Sequence, residues 1–147
     1  TNMITKEMIY QKTPQQITAL LYEAGLNQFD QAVAFLNEKK YAEANQAMQK
    51  INDIMERLGA GLNYEAGIIA DQLDHVYNFI AHTVIQANLH KDADRLAEAQ
   101  RLFQMIADAW NEALRAAPAK PAARKRNAYE QNIFVEARLA NTIETGN

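Results

Sequence analysis

Cysteine and serine are both missing from this 147-residue sequence. Without cysteine there is no disulfide framework and no thiolate for a metal or redox site. Without either residue, nucleophilic catalysis falls to Thr, Lys, Asp or Glu, and none of these stands in a recognisable catalytic setting. Glycine and proline are scarce, at five and three, which speaks against a turn-rich architecture. Gly59-Ala60-Gly61 lacks a following Lys-Ser/Thr pair and a preceding strand, so it does not make a phosphate loop. No apolar run approaches the roughly 20 residues that cross a bilayer, and no signal-peptide core opens the sequence. Neither membrane insertion nor a leader is expected. The net charge is only −3 with both signs scattered, so no broad basic surface recommends nucleic acid and no acidic block recommends a basic partner.

What is present is globular and helical. Hydrophobic residues make up 48% and charged ones 22%, enough apolar content to escape disorder. The length suits one domain that buries about two-thirds of its unfolded surface. Thr13-Pro14-Gln15-Gln16 sets a capping hydroxyl, a proline at the first helical position and a glutamine at the third. From there Ile17, Leu20, Leu21, Ala24, Phe29, Ala32, Val33 and Leu36 recur at helical steps. Tyr22 and Leu26 widen that stripe. A second helix carries Tyr41, Ala44, Met48, Ile51, Met55 and Leu58 at heptad spacing, which favours crossing angles near +20°. Gly59 and Gly61 end or loosen it. The third helix carries Ile69, Leu73, Val76, Ile80, Val84 and Ala87 to about Lys91. Asp92 then caps a fourth, with Leu96, Ala99, Phe103, Ile106, Trp110 and Ala113 inward.

Short connections make consecutive helices antiparallel neighbours. The fold expected is all-α: an antiparallel up-down four-helix bundle with an N-terminal arm and an extra C-terminal helix. Residues 1–12 form the arm or cap, 13–117 the bundle, 118–127 a linker with two prolines and a basic run, and 128–147 a helical tail. Tyr129, Ile133, Val135, Ala137, Leu139, Ala140 and Ile143 give that tail a weak apolar face.

Bundles can host metals, and a di-iron site needs Glu-x-x-His on two helices. No glutamate here has a histidine three residues on. Asp71, His75, Asn78 and His82 do share one face of the third helix, a spacing able to gather imidazole and carboxylate. A solvated polar face is the simpler reading, so no metal and no cofactor are expected. His90 stands where it can serve the last carbonyls of a helix. The basic run Lys120 to Arg126 reads as a solvated linker rather than a phosphate or lipid contact. Met48, Met55 and Met105 read as adaptable core filler, and Trp110 as core.

Recognition through apolar surface remains, and here the sequence resembles a known family. The stretch Thr13-Pro14-Gln15-Gln16-Ile17-Thr18-Ala19-Leu20-Leu21-Tyr22-Glu23-Ala24-Gly25-Leu26 is similar to the opening motif of the FliS family of flagellar export chaperones, and Tyr10-Gln11 precedes it as in that family. Leu58 and Leu62 with Glu65-Ala66-Gly67, the apolar residues around Val76-Tyr77, and Gln86-Ala87-Asn88-Leu89 with Asp92, Leu96-Ala97-Glu98 and Ala109-Trp110 resemble its central and closing stretches. The likeness runs from about Tyr10 to Leu114. Ala24 before Gly25 reverses the family's usual order, and nothing is carried over to the tail.

The resemblance implies a cytoplasmic chaperone, not an enzyme. Its implied client is the C-terminal segment of flagellin, kept from polymerising and delivered to the flagellar export apparatus. Such a segment can fold as helices into grooves between bundle helices. The family's N-terminal segment, here Met3, Ile4, Met8, Ile9 and Tyr10, is implied to cover part of that surface, though an ordinary packed arm is the alternative. The candidate partner-binding residues are Ile9, Tyr10, Tyr22, Leu26, Leu62, Tyr64 and Ile68. Tyr22 and Leu26 flank the main stripe of the first helix, and the last three sit at the glycine-flanked junction; burial in the chain's own core is the competing reading. The tail either folds back into the groove, pairs with a second copy to make a homodimer, or docks as one more helix. A helical adaptor for a different partner is the alternative function, with a metal enzyme behind it.

Overall fold

A computed structural model describes residues 13–116. They form four α-helices: α1, Pro14–Asn37; α2, Tyr41–Ala60; α3, Ile68–His90; and α4, Ala93–Ala116, with a single 3₁₀ turn at Tyr64–Ala66. There is no strand among the described residues. Each helix packs on its sequence neighbours, and α4 closes back on α1. The result is the up-down-up-down ring that the heptad spacing of α2 and α4 called for.

Local chemistry sets the helix ends. The Thr13 hydroxyl accepts from the Gln16 amide at 3.1 Å, while the Gln16 carboxamide accepts from the Thr13 amide at 2.9 Å. Two orphan donors of the first turn are thereby satisfied in one reciprocal pair. At α4, the Asp92 carboxylate accepts from the Arg95 amide at 3.0 Å, the cap that its sequence position promised. Both tight helix-helix turns use a lysine in the left-handed region, Lys39 at φ 60° and Lys91 at φ 53°. The α2–α3 connection uses Gly67 at φ 71°, where a side chain would strain the backbone.

The core fills the centre of the ring. Phe29, Phe103, Met48, Ile51, Leu73, Ile80, Leu96, Ile106 and Val84 are its largest wholly buried side chains, each stabilising the fold by roughly 1.5–3 kcal/mol. An aromatic column joins α1 to α4. Phe29 and Phe103 lie 5.3 Å apart, Tyr22 and Phe103 5.5 Å, and Tyr22 and Trp110 6.0 Å, all tilted. Gly25 lets the two helices approach there: a Cβ on it would fall 2.3 Å from the Phe103 Cζ. Across the ring, the Tyr22 and Tyr77 hydroxyls share a buried hydrogen bond of 2.6 Å. Asn88 donates to Asn45 at 2.6 Å and Gln100 to Asp30 at 2.7 Å, fixing the register of α3 on α2 and of α4 on α1.

Candidate partner-binding surface

An ordinary bundle helix has one apolar stripe. α3 has more than one. Leu73, Tyr77, Ile80, Val84 and Ala87 are buried in the core, yet Ile68, Phe79, Ile85 and Leu89 remain 74%, 60%, 50% and 69% exposed. Large apolar residues set singly on a surface need no explanation; here four stand on the solvent side of one helix, interspersed with the exposed Asp71, His75, Asn78 and His82, and they are the candidate contacts for a partner. Ile85 and Leu89 are one turn apart, and the run from Ile68 to Leu89 measures about 32 Å along the axis. Tyr41, also exposed, stands at the far end, where the Lys91 ammonium lies 5.4 Å from its ring centre.

Beside this face a cleft of about 440 Å³ opens between α2 and α3. Its walls are low because Gly59, Ala60 and Ala81 are small. Met55 and Ile85 make it apolar, and Glu56, Asp74 and Asn78 rim it. Asn52 also lines it, and its Oδ1 is shut from solvent with no hydrogen bond from any described residue. Tyr64 overhangs the cleft on the 3₁₀ turn, whose start is fixed by the Asn63 side chain accepting from the Glu65 amide at 3.1 Å. The Tyr64 phenol is pushed above its usual value of 10.0, first by local desolvation, then by the charge of Asp74 and a hydrogen bond to it, and by Asp71. A smaller cavity of about 50 Å³ lies at the same end of the ring, where Pro14, Leu62 and Trp110 meet.

The sequence-predicted residues fall into different places. Tyr64 and Ile68 are exposed at the mouth of the cleft and the start of the α3 face. Leu62 is half-buried and lines the small cavity. Leu26 is half-buried on α1 against the core. Tyr22 is a core residue, 2% exposed, held by the Tyr77 hydroxyl and flanked by Phe103 and Trp110; widening the α1 stripe completed the core. Ile9 and Tyr10 lie outside the described residues. Phe79, Ile85 and Leu89, exposed on α3, were not among the candidate partner-binding residues of the sequence reading. Their signal was the excess of apolar residues all round α3, more than a single core-facing stripe can absorb.

Other candidate chemistry is dispersed. Asp71, His75, Asn78 and His82 lie exposed along α3, Asn78 donates to Asp74 at 3.3 Å, and no group of three metal-ligating side chains gathers among the described residues. No described helix is long and apolar enough to cross a membrane. Met48, Met55 and Trp110 are core, as their stripes implied, whereas Met105, read with them as core filler, is only half-buried. The described residues define an all-α, up-down-up-down bundle protein with exposed apolar side chains on α3 and a cleft between α2 and α3.

Comparison with known proteins names the family. Residues 2–117 match the family profile described as flagellar protein FliS. The chain is 32% identical over 102 residues to the flagellar secretion chaperone FliS of Salmonella typhimurium, covering 68% of this chain and 76% of that one. It is 28% identical to the protein of the same name from Escherichia coli, over 68% of this chain and 75% of the relative. For the Bacillus subtilis protein, again of that name, the figures are 26%, 69% and 76%. The chain belongs to the FliS family of flagellar secretion chaperones. This is a family of chaperones, not of enzymes, so no catalytic residue is assigned.

Proposed function

We propose that this protein binds the C-terminal segment of flagellin in the cytoplasm, keeps it from polymerising before export, and hands it to the flagellar export apparatus. The observation that carries the reading is the set of exposed apolar residues on α3, Ile68, Phe79, Ile85 and Leu89, with Ile85 also lining the cleft against α2. A client segment with amphipathic stretches can bury its apolar side along such a strip as helices. A strip of about 32 Å accepts roughly 20 helical residues. Length matters because ordering a disordered segment costs about 2–5 kcal/mol or more before any net affinity remains. Membership of the FliS family supports the flagellar setting.

The test is calorimetric titration of the full chain with a C-terminal flagellin peptide from the same organism. A one-to-one complex with favourable enthalpy and a negative heat-capacity change is expected, the signature of folding on binding. Ile85→Asp and Leu89→Asp, both at exposed positions that leave the core intact, should each weaken binding tenfold or more. Absence of binding, or affinity indifferent to both substitutions, would remove flagellin or this face from the account.

A further inference from the structure

We propose that the α2–α3 cleft is a seat for a basic side chain, a lysine or arginine on the apolar side of a helical partner segment, with its head held between Glu56 and Asp74. The identity of the segment rests on the function proposed above; the chemistry of the seat does not.

The cleft suits an apolar stem with a charged tip. Met55, Ala60, Ala81 and Ile85 give it apolar walls, and a carboxylate stands on each side, Glu56 on α2 and Asp74 on α3. Lysine and arginine present the matching shape, a hydrocarbon stem that packs on apolar surface and a head that seeks oxygen acceptors. At about 440 Å³ the space has the size of a whole ligand site. The partner residues one turn to either side of the basic one should therefore be apolar.

The two carboxylates lack a positive neighbour. Asp74 is fixed by neutral donors, the Asn78 amide at 3.3 Å and the Tyr64 phenol, which hold the group without cancelling its charge. A carboxylate has about four acceptor positions, so room remains for a cation. Glu56 is exposed and makes no ion pair among the described residues. Residues 58–90 contain no lysine or arginine, against Glu65, Asp71 and Asp74. The two cations of α2, Lys50 and Arg57, stand about 100–120° round that helix from Glu56. His75 and His82 each follow a cleft residue by one position, about 100° round α3. The Tyr64 phenol, raised first by desolvation and then by Asp74 and Asp71, senses the same negative surroundings. Residues 13–116 together hold eight lysines and arginines against fourteen aspartates and glutamates, a field that draws a basic segment in before contact.

What such a seat adds is selectivity. An apolar strip accepts any amphipathic helix of suitable length. A helix that covered Glu56 and Asp74 without offering a cation would strip water from two carboxylates and return nothing. A helix with a basic residue at that point keeps both paired. Ile85 belongs to the cleft and to the exposed set on α3, so the seat is continuous with the surface proposed for the client.

The test begins without a client. Hexylammonium, which copies the stem and head of lysine, is titrated into the isotope-labelled full chain, with butylguanidinium in parallel and hexanol as the neutral control. The amide resonances of Gly59, Ala60 and Ala81 should shift and saturate with a cation, which should bind about tenfold more tightly than hexanol. Glu56→Gln together with Asp74→Asn should remove that preference, and Glu56→Gln alone, at an exposed position, should remove part of it. Equal shifts with hexanol, shifts spread over the whole bundle, or a preference indifferent to both substitutions would overturn the seat. Resonances of Gly59 and Ala81 that move with protein concentration before any probe is added would give the cleft to a second copy, and would overturn it too. The second arm uses the C-terminal flagellin peptide with each lysine and arginine replaced in turn by norleucine. One such replacement should weaken binding about tenfold in the parent protein and change nothing in the doubly substituted one. A peptide that binds with no such position would overturn the partner chemistry and keep flagellin as client. A peptide that fails to bind, beside a cation preference in the first arm, would remove flagellin and still support the seat.

Discussion

Replacing Gly25 by alanine sets two effects of known size against each other. Gly25 lies in the middle of α1, where intrinsic propensity favours alanine by about 1 kcal/mol. On propensity alone the variant should be more stable. The added methyl, however, would stand 2.3 Å from Cζ and 2.6 Å from Cε2 of Phe103. Carbon atoms rest at about 3.5–4.0 Å, so ring or helix must yield by roughly 1.2 Å. The ring has nowhere to go. Phe103 is wholly buried, with Phe29 at 5.3 Å and Tyr22 at 5.5 Å, and Tyr22 is itself tied to Tyr77. Overpacking of a closed core costs about 1–3 kcal/mol, and an overlap this deep belongs to the upper part of that range. The net expectation is destabilisation by about 2 kcal/mol, or a melting temperature about 5–10 °C lower. Circular dichroism melts and urea curves would measure it, with the fluorescence of Trp110 as a second probe of two-state behaviour. Gly59→Ala is the control, since a methyl there meets nothing nearer than the Asp74 carboxylate at 3.5 Å; it should be neutral or stabilising. Adding Phe103→Leu to Gly25→Ala should cost less than the sum of the two single changes, because the clash is gone. A Gly25→Ala protein as stable as the parent would refute the close approach of α1 and α4.

Three further outcomes are expected. Tyr22→Phe and Tyr77→Phe should each cost about 1 kcal/mol, with a coupling of similar size in the double-mutant cycle, because they share one buried hydroxyl pair. Thr13→Ala should cost about 1 kcal/mol and fray the start of α1, while Thr13→Ser keeps the reciprocal cap; stability curves with amide exchange in the first turn distinguish them. Tyr64 should ionise above pH 10 in an ultraviolet difference titration, and Asp74→Asn should bring it only part of the way back, because desolvation is the larger cause. The fold prefers the protonated phenol, so this contribution is constant below pH 10 and is lost as pH rises beyond it; Tyr64→Phe should abolish that alkaline loss.

Much of the architecture was legible because it is written in local rules. The capping box at Thr13, the Asp92 cap and the heptad stripes of α2 and α4 depend on neighbours within one or two turns, and each stands where the sequence put it. Short connections then leave an antiparallel ring as the economical way to bury four stripes. The family was legible for a related reason: Tyr22 and Trp110, which stand in the stretches that resemble the family, meet in the packing of α1 on α4.

The surface proposed for binding was harder to read. Tyr22 and Ile68 look alike in a list of apolar residues flanking a stripe, yet one is 2% and the other 74% exposed. Which of two apolar sides of a helix meets a neighbour depends on how that helix is rotated within the ring, and rotation is set by contacts far apart in sequence, such as Tyr22 with Tyr77 and Asn45 with Asn88. The sequence by itself therefore determined the helices, their caps, their order and the family. Only the tertiary structure decided that Phe79, Ile85 and Leu89 face outward and that small residues on α2 and α3 leave a cleft beside them, because burial is a property of the packed ring and not of any one helix.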